Sequence, residues 1–340
     1  MIAAAQRTGH ARTAWVSAAA IALLVVAVLL SLGVGARPIV PATVLDALLR
    51  FDPSDNDHVV VVTQRLPRTI IGLLAGIALA LAGTVMQGLT RNPFADPGLL
   101  GVNAGASVGV LLAITLAGIT RPSGFVWFAF GGAAIAAVAV ALIGSRGPDG
   151  SAPAKLALTG AAITAGLTSL TLLVLTTQSA ALDVYRYWSV GALNARGLDS
   201  VVLVFGPIVI GVVLALVSAR GLDLIALGDE TATGLGHSVG RTRTVGVLAS
   251  VLLAGGATAI AGPVVFLGLV VPHALRAIVG GSYGRLLWIG MPLGAALLLF
   301  ADVIGRVVAP PGEVQAGVVI AFIGAPVLIA LVLRGQKVTL

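Results

Sequence analysis

The side chains that could do chemistry in this sequence are few, and they form no complete catalytic or metal-binding set. The chain has no cysteine, and its four histidines lack the close spacing of metal ligands. One string, Gly105-Ala-Ser107-Val-Gly109, matches the G-x-S-x-G nucleophile pattern. That pattern needs a strand, a turn and a helix with histidine and acidic partners, whereas this copy lies in an apolar segment. We therefore predict close helix packing there, no catalytic residue and no metal site, with a membrane hydrolase as the formal alternative.

The residues for ATP hydrolysis or ion coupling are also not assembled. A phosphate-binding loop ends in Gly-Lys, and neither lysine of this chain follows a glycine. An ATPase that drives this protein must therefore be a separate polypeptide. For an ion-coupled carrier, Asp302 is the best candidate for an ionisable group inside the membrane. It lies four residues before Arg306, so an ion pair on one helix face is the simpler interpretation.

These residues belong to long apolar segments that suit a membrane. Hydrophobic residues make up 58% of the 340 positions, charged residues make up 10%, and the mean hydropathy is +1.07. Soluble proteins have about 25% charged residues. Because spanning helices need about 20 apolar residues, we predict an all-α polytopic membrane protein with about ten transmembrane helices, in one domain over residues 1–340. The predicted spans are 14–34, 60–88, 96–118, 124–144, 155–177, 200–219, 242–260, 263–279, 286–308 and 314–333.

The basic residues predict the orientation of these helices. The net charge is +7, but the basic residues are dispersed between apolar stretches, so they indicate topology and not nucleic-acid binding. An even number of crossings places both termini on one side, which the positive-inside rule makes cytoplasmic. The first apolar segment is too long for the core of a secretory signal. We predict that it is a retained anchor, which follows a cytoplasmic N-terminal segment over residues 1–13.

Three connections stand out. A polar loop is predicted over residues 36–57, and the string YRYWSVGALN predicts a short helix at the outer interface within residues 178–199. The third connection, residues 219–243, is the longest predicted cytoplasmic loop, and we expect a short amphipathic helix there that contacts a partner. A solvated loop is the alternative. The pattern has apolar residues, two acids and then a glycine that ends the helix: Leu224, Ile225, Leu227, Asp229, Glu230 and Gly236.

Several strings, taken in order along the chain, resemble one known family. They are RLPR at 65–68, LAGTVMQGLTRNPFADPGLLGVNAGA at 81–106, ALGDETATGLG at 226–236, AGPVVFLGLVVPHALR at 261–276, ADVIGR at 301–306 and IGAPVLI at 323–329. From about residue 15 to 335 the chain resembles the FecCD family, the permeases of iron-siderophore, haem and cobalamin ABC importers. The resemblance implies the type II ABC importer permease fold. It also implies translocation of a ferric siderophore, with haem or cobalamin as the alternatives.

The resemblance further implies which residues contact partners. Arg65, Arg68 and Arg306 match the family's outer arginines, which receive acidic residues of a substrate-binding protein. The alternative is that these side chains extend to the membrane interface. Pro153 and Ala154 align with the family's cytoplasmic gate. The residues that match the ATPase-coupling helix are Leu224, Leu227, Gly228, Asp229, Glu230 and Gly236.

Under this interpretation the chain works within an assembly. Its partners would be a second permease subunit, identical or paralogous, two ATPase subunits and a periplasmic or lipid-anchored substrate-binding protein. ATP and magnesium would bind to the ATPase subunits, and the chain itself would bind no cofactor. We expect it in the bacterial cytoplasmic (inner) membrane with both termini cytoplasmic. An ion-coupled secondary transporter that needs no ATPase subunit is the alternative from a different class.

Overall fold

The computed structural model describes residues 2–35, 37–144, 146, 153–194, 197–310 and 312–335, and within them every regular element is helical. A π-helical turn (Val61–Arg65) precedes α4, and a 3₁₀ turn (Pro97–Leu100) precedes α5. The α-helices are α1 (Ile2–Gly33), α2 (Pro41–Leu49), α3 (Asn56–Val60), α4 (Leu66–Thr90), α5 (Val102–Ala117), α6 (Pro122–Gly144), α7 (Pro153–Thr177), α8 (Ser179–Ser189), α9 (Leu198–Ile225), α10 (Asp229–Gly234), α11 (Val239–Ala261), α12 (Leu267–Val279), α13 (Tyr283–Val308) and α14 (Ala316–Gly335).

The lengths of the apolar helices match a membrane protein. In the described ranges, seven helical stretches are long and apolar enough to cross a bilayer, and α5, α12 and α14 contain shorter apolar helices. Each of these corresponds to one predicted span. The prediction of an all-helical protein with about ten such helices is therefore confirmed, and α8 confirms the short helix within residues 178–199.

Two helices extend beyond the predicted spans. The membrane-spanning part of α1, Ala11–Gly33, agrees with the predicted span 14–34, but the helix itself begins at Ile2, because the alanine-rich stretch before the apolar segment favours helix and continues it. Helix α9 extends to Ile225, so Leu224 belongs to its last turn and not to the short amphipathic helix. That helix, α10, begins only at Asp229. Gly228 separates the two helices with a φ of 103°, which glycine adopts without a steric cost.

The segment predicted as a polar loop over residues 36–57 contains helix α2, and α3 begins at its end. Asp55 caps α3 by accepting a 2.8 Å hydrogen bond from the backbone N–H of Asp57. A small apolar cluster packs α2 against the end of α1 and the π-helical turn. The cluster fixes the position of the turn that leads into α4. Its buried members are Leu32, Ile39, Val44, Ala47 and Val61.

Helix α4 is the central helix of the bundle and packs against α9, α11, α12 and α13. Glycines let two of these neighbours touch its backbone. A Cβ atom at Gly83 would lie 2.0 Å from the carbonyl oxygen of Gly268 in α12, and one at Gly76 would lie 2.6 Å from that of Gly294 in α13. Both distances are shorter than any real contact. Glycines therefore allow close helix approach at both crossings.

The G-x-S-x-G string also lies at a close helix crossing. A Cβ atom at Gly105 would lie 2.3 Å from the carbonyl oxygen of Gly132, and one at Gly109 would lie 2.1 Å from that of Phe128, both in α6. Between them, Ser107 donates a 3.0 Å hydrogen bond to the carbonyl oxygen of Asn103, one turn earlier. The string sits in the middle of α5 and not at a strand-to-helix turn. Its role is to pack α5 against α6.

Candidate functional site

Three arginine side chains converge where α4 begins and α13 ends. We call this the outer end, following the orientation that the positive-inside rule predicts, and the opposite end the inner end. Arg65 ends the π-helical turn, Arg68 lies in the first turn of α4, and Arg306 lies in the last turn of α13. Their exposed fractions are 6%, 8% and 3%. Together with Arg37 and Glu313 they line the outer cavity, which has a volume of about 550 Å³.

Asp302 binds two of these arginines and is completely buried. Arg68 Nε lies 3.0 Å from both carboxylate oxygens, and its Nη2 lies 2.8 Å from Oδ1. Arg306 donates to Oδ2 from Nε at 3.0 Å and also from Nη2. The predicted Asp302–Arg306 pair on one helix face is therefore confirmed. The second partner, Arg68, comes from another helix, which the sequence spacing did not predict.

The other guanidinium N–H groups bind the C-terminal end of α1. Arg65 Nη1 donates to the carbonyl oxygens of Leu32 and Gly33 at 2.8 and 2.7 Å. Arg306 Nη1 donates to the carbonyl oxygen of Ser31 at 2.7 Å. The last carbonyls of a helix have no partner within the helix and carry partial negative charge, so cations stabilise them. These contacts hold the arginines inward, and the alternative in which they extend to the membrane interface does not describe this arrangement.

The outer cavity retains an excess of positive charge. Glu313 is its only acidic lining residue in the part of the chain that the structure describes, and it accepts a 2.7 Å hydrogen bond from Arg68 Nη1. Arg37, which is mostly exposed, lies 3.4 Å from Asp57 outside the cavity lining. A cationic cavity with an open mouth can receive a carboxylate from another molecule. Its docking role stays a prediction.

At the inner end, two exposed leucines flank α10, one on each side of the helix. Leu227 is 62% exposed and Leu235 is 64% exposed, and Glu230 between them is also exposed. Ala232 is fully buried and packs α10 against the bundle. Gly236 ends this segment with a φ of 79°, as the sequence predicted. Sequence reasoning missed Leu235, because the pattern used there counted apolar residues only before the two acidic residues.

Asp229, unlike the exposed Glu230, contacts residues of the bundle. Its Oδ2 accepts a 2.7 Å hydrogen bond from Arg243 Nη2 of α11. Its Oδ1 lies 3.8 Å from Nη2 of Arg91, the residue that ends α4. Leu224 is only partly exposed, at the end of α9. Of the six residues predicted to couple to an ATPase, the structure therefore places some on the surface and turns others toward the bundle.

A polar network joins α4, α9, α12 and α13 at the inner end, and sequence reasoning missed it. Asp223 of α9 accepts a 2.8 Å hydrogen bond from the backbone N–H of Tyr283 and thereby caps α13. Arg276 of α12 donates a 2.6 Å hydrogen bond to Gln87 of α4, and its guanidinium lies 5.6 Å from the centre of the Tyr283 ring. These partners are far apart in the sequence, so no local pattern indicates them.

The predicted gate residues lie at the start of α7. The helix begins at Pro153, as proline at a first helical position favours. The side chains of Pro153 and Ala154 lie outside the described residues. Their assignment to a cytoplasmic gate stays a prediction.

Asp96 occupies the turn between α4 and α5, and its environment predicts a pH effect. Its carboxylate accepts a 2.8 Å hydrogen bond from the Gly98 N–H, which holds the turn. Burial of the carboxyl group raises the pKa of Asp96, and the Gly98 hydrogen bond opposes this only in part. Ionisation therefore costs more in the folded than in the unfolded protein. This penalty is absent below the unfolded pKa and grows as the pH rises toward the folded pKa.

We therefore expect the Asp96→Asn variant to unfold at a higher temperature than the native chain at pH 7.5. The asparagine oxygen keeps the hydrogen bond from Gly98 and carries no charge. The difference in Tm should shrink as the pH falls to 4.5, because protonation then removes the same penalty from the native chain. Thermal unfolding of both proteins in detergent at pH 7.5 and pH 4.5 measures this difference in Tm. A Tm difference that grows toward acid pH would contradict the prediction. Asp55→Asn, at an exposed position of the outer end, serves as the control.

Comparison with known proteins places these sites in context. The model of the FecCD transport family matches residues 23–334. The chain is 46% identical over 315 residues to the ferric enterobactin transport system permease protein FepD of Escherichia coli (strain K12), covering 93% of this chain and 94% of FepD. It is 39% identical to a siderophore transport system permease protein, YfiZ, of Bacillus subtilis (strain 168), covering 83% and 85%. A solved metal-chelate type ABC transporter in an inward-facing conformation superposes with a TM-score of 0.80 at 26% identity, covering 94% and 98%.

Proposed function

This chain belongs to the FecCD transport family, and from this we propose that it is the transmembrane permease subunit of an ABC importer that translocates a ferric siderophore. It is a membrane-embedded transport permease and works with other subunits of a transporter. The relatives that transport ferric enterobactin and other siderophores support this cargo over haem and cobalamin.

The observation that carries the proposal is the placement of two different sites, one cationic and one with exposed leucines, at opposite ends of α4. The cationic outer cavity suits the acidic residues of a substrate-binding protein, and the exposed leucines that flank α10 suit a groove on a partner at the inner end. An importer needs both contacts. One is with the protein that delivers the cargo, and the other is with the subunits that hydrolyse ATP. The central helix α4 physically joins them.

The ion-coupled alternative has less support from the geometry. Such a carrier needs a carboxylate that can bind and release an ion inside the membrane. Asp302 was the best candidate, and it is held by Arg68 and Arg306 through several hydrogen bonds. A structural role for this aspartate accounts for all of its contacts.

The rest of the assembly follows from the family. We propose a second permease subunit, two ATPase subunits that bind ATP and magnesium, and a substrate-binding protein, in a bacterial cytoplasmic membrane with both termini of this chain inside. The exposed surface of helix α7 supports the proposal of a second permease subunit. Only 11% of its most apolar stretch is buried, and small residues such as Ala161, Ala165 and Gly166 lie on its exposed surface, where another helix could approach closely.

Uptake by cells tests the proposed function. This chain would be expressed with its partner subunits in bacteria that lack permeases of this class, and the cells would receive ⁵⁵Fe-labelled enterobactin, citrate and ferrichrome, or labelled haem and cobalamin. We expect the fastest uptake for one of the ferric siderophores, and we expect ATP depletion to stop it. Uptake that an ionophore abolishes and ATP depletion spares would instead support the secondary transporter.

The same assay separates the two sites. Leu227→Asp/Leu235→Asp should abolish capture of the ATPase subunits and lower uptake by at least about tenfold, because it places charge at the centre of an apolar contact. Gln64→Glu adds one negative charge to the lining of the outer cavity with little change in shape. It should weaken capture of the binding protein by about three- to tenfold and leave the ATPase contact intact.

Two control variants make this comparison specific. Leu49→Asp changes a leucine that is 73% exposed at the outer end, so it should not affect ATPase capture. Gln64→Met removes polarity from the cavity without adding charge and should change binding-protein capture less than Gln64→Glu. Normal ATPase capture by the double leucine variant would contradict the assignment of α10.

A further inference from the structure

The two acidic residues of α10 are not equivalent. Glu230 is exposed on the surface that would meet an ATPase, whereas Asp229 turns toward the bundle and contacts Arg243 and Arg91. The side chains of Arg243 and Asp229 are 21% and 37% exposed, so this ion pair is partly buried. The position of Asp229 suits a link between α10 and the permease and leaves the ATPase contact to its neighbours.

The two contacts of Asp229 differ in length. Arg243 Nη2 is at hydrogen-bond distance from Oδ2, at 2.7 Å. Oδ1 is buried and makes no hydrogen bond among the described residues, and Nη2 of Arg91 is 3.8 Å away from it. A normal hydrogen bond to a guanidinium is about 2.9 Å long, so a movement of about 1 Å would close this contact. The hydrogen bond between Asp229 and Arg243 is therefore formed, and one between Asp229 and Arg91 needs only a small movement.

Each arginine belongs to a different helix of the bundle. Arg243 lies in the first part of α11. Arg91 ends α4 with a φ of 50°, and its backbone N–H donates to the carbonyl oxygen of Gly88. The following turn is fixed by a 2.9 Å hydrogen bond from the Phe94 N–H to the side chain of Asn92. Because its backbone is held in this way, Arg91 moves with α4.

We propose that Arg243 and Arg91 are positioning residues that bind Asp229 and so pass the displacement of α10 to α11 and α4. Asp229 then carries movement within the permease and makes no contact with the ATPase. This inference rests on the proposed function, because it assigns a mechanical role within an ATP-driven transporter. Since α4 continues to the arginines of the outer cavity, the link gives the ATPase a direct connection to the opposite end of the protein.

Exchange of the two charges tests this proposal in the complete transporter. The variants are Asp229→Arg, Arg243→Glu and the double exchange, reconstituted in proteoliposomes with ATPase subunits and binding protein. The probe is whichever of ferric enterobactin, ferric citrate and ferrichrome the native chain takes up fastest. The matched control is Arg241→Glu, an exposed arginine two positions away on the same helix. Three quantities are measured: ATPase subunits retained, ATP hydrolysed and iron taken up per ATP.

We expect both single variants to retain the ATPase subunits and to hydrolyse ATP, while iron uptake per ATP falls by about tenfold. The double exchange should restore uptake per ATP to within about threefold of native, because opposite charges again face each other. Arg241→Glu should remain within about twofold of native, since its side chain is solvated. Arg91→Gln should show a smaller loss than Arg243→Glu, as its contact is longer.

Other outcomes would overturn the proposal. If the single variants lose the ATPase subunits and the exchange does not restore them, Asp229 contacts the ATPase directly. If they take up iron as efficiently as the native chain, or if the double exchange gives no recovery, the pair does not position α10. Failure of the native chain itself to retain any ATPase subunit would instead refute the proposed function, and this outcome is recognisable before any variant is compared.

Discussion

Replacing Asp302 with alanine should lower the free energy of unfolding by about 3–5 kcal/mol, the usual cost of breaking a buried ion pair from one side. The carboxylate is fully buried and accepts hydrogen bonds from both Arg68 and Arg306. Without it, two guanidinium groups that are almost fully buried lose their main counter-charge. Glu313 can compensate Arg68 in part, but it does not bond to Arg306. Titration with SDS in mixed micelles measures the unfolding free energy.

A second variant shows whether the loss comes from the unpaired charges. In Asp302→Ala/Arg306→Met, one uncompensated cation is removed and the methionine fills similar space, so part of the stability should return. Asp57→Ala is the control, because its partner Arg37 is 73% exposed and such pairs contribute about 1 kcal/mol or less. If Asp302→Ala cost no more than Asp57→Ala, the carboxylate would not be the counter-charge that holds the outer arginines.

The second large effect is expected at the crossing of α4 and α12. Gly83→Ala adds a Cβ atom 2.0 Å from the carbonyl oxygen of Gly268, a backbone atom that cannot rotate away. The two helices must separate, and the packing of α4 against its other neighbours is disturbed with them. We expect a loss of at least about 3 kcal/mol, at the upper end of the range for overpacked sites. The yield of monodisperse protein and the SDS midpoint both measure this loss.

A glycine with open surroundings provides the control. Gly206 lies within α9, and a Cβ atom there would meet no atom within 4 Å. Gly206→Ala should therefore leave the SDS midpoint unchanged or raise it slightly, since alanine favours helix over glycine by about 0.8–1 kcal/mol. Equal midpoints for the two variants would mean that the α4–α12 contact is looser than the structure describes.

The helices were predictable from the sequence because each depends on local properties. A run of about 20 apolar residues is enough to indicate a spanning helix, whatever it packs against. The contact of Asp302 with Arg306 was predictable for the same reason, since residues four apart lie on one helix face. Gly236 could be identified as a helix stop because its positive φ is a local requirement.

The arrangement of the two sites depends on contacts between distant residues. Arg68 and Asp302 are 234 positions apart, and no spacing rule connects them. The direction in which Asp229 points depends on how α10 rests against α11 and the end of α4. The helices α2 and α3 were missed because they are only nine and five residues long, and the burial of the apolar residues of α2 depends on the end of α1.

The bonds at the outer end have a consequence for how this protein is made. Ribosomes add about 5–20 residues per second, so about 10–50 s separate the synthesis of Arg68 from that of Asp302, 234 positions later. The interval is still longer between the synthesis of Ser31 and that of Arg306, which donates to its carbonyl oxygen from 275 positions later. During this interval the early helices are in the membrane with unmatched charges and carbonyls at their outer end. Final assembly must therefore follow insertion of α13, so a nascent chain truncated before residue 302 should be recognised by quality-control proteases as incomplete.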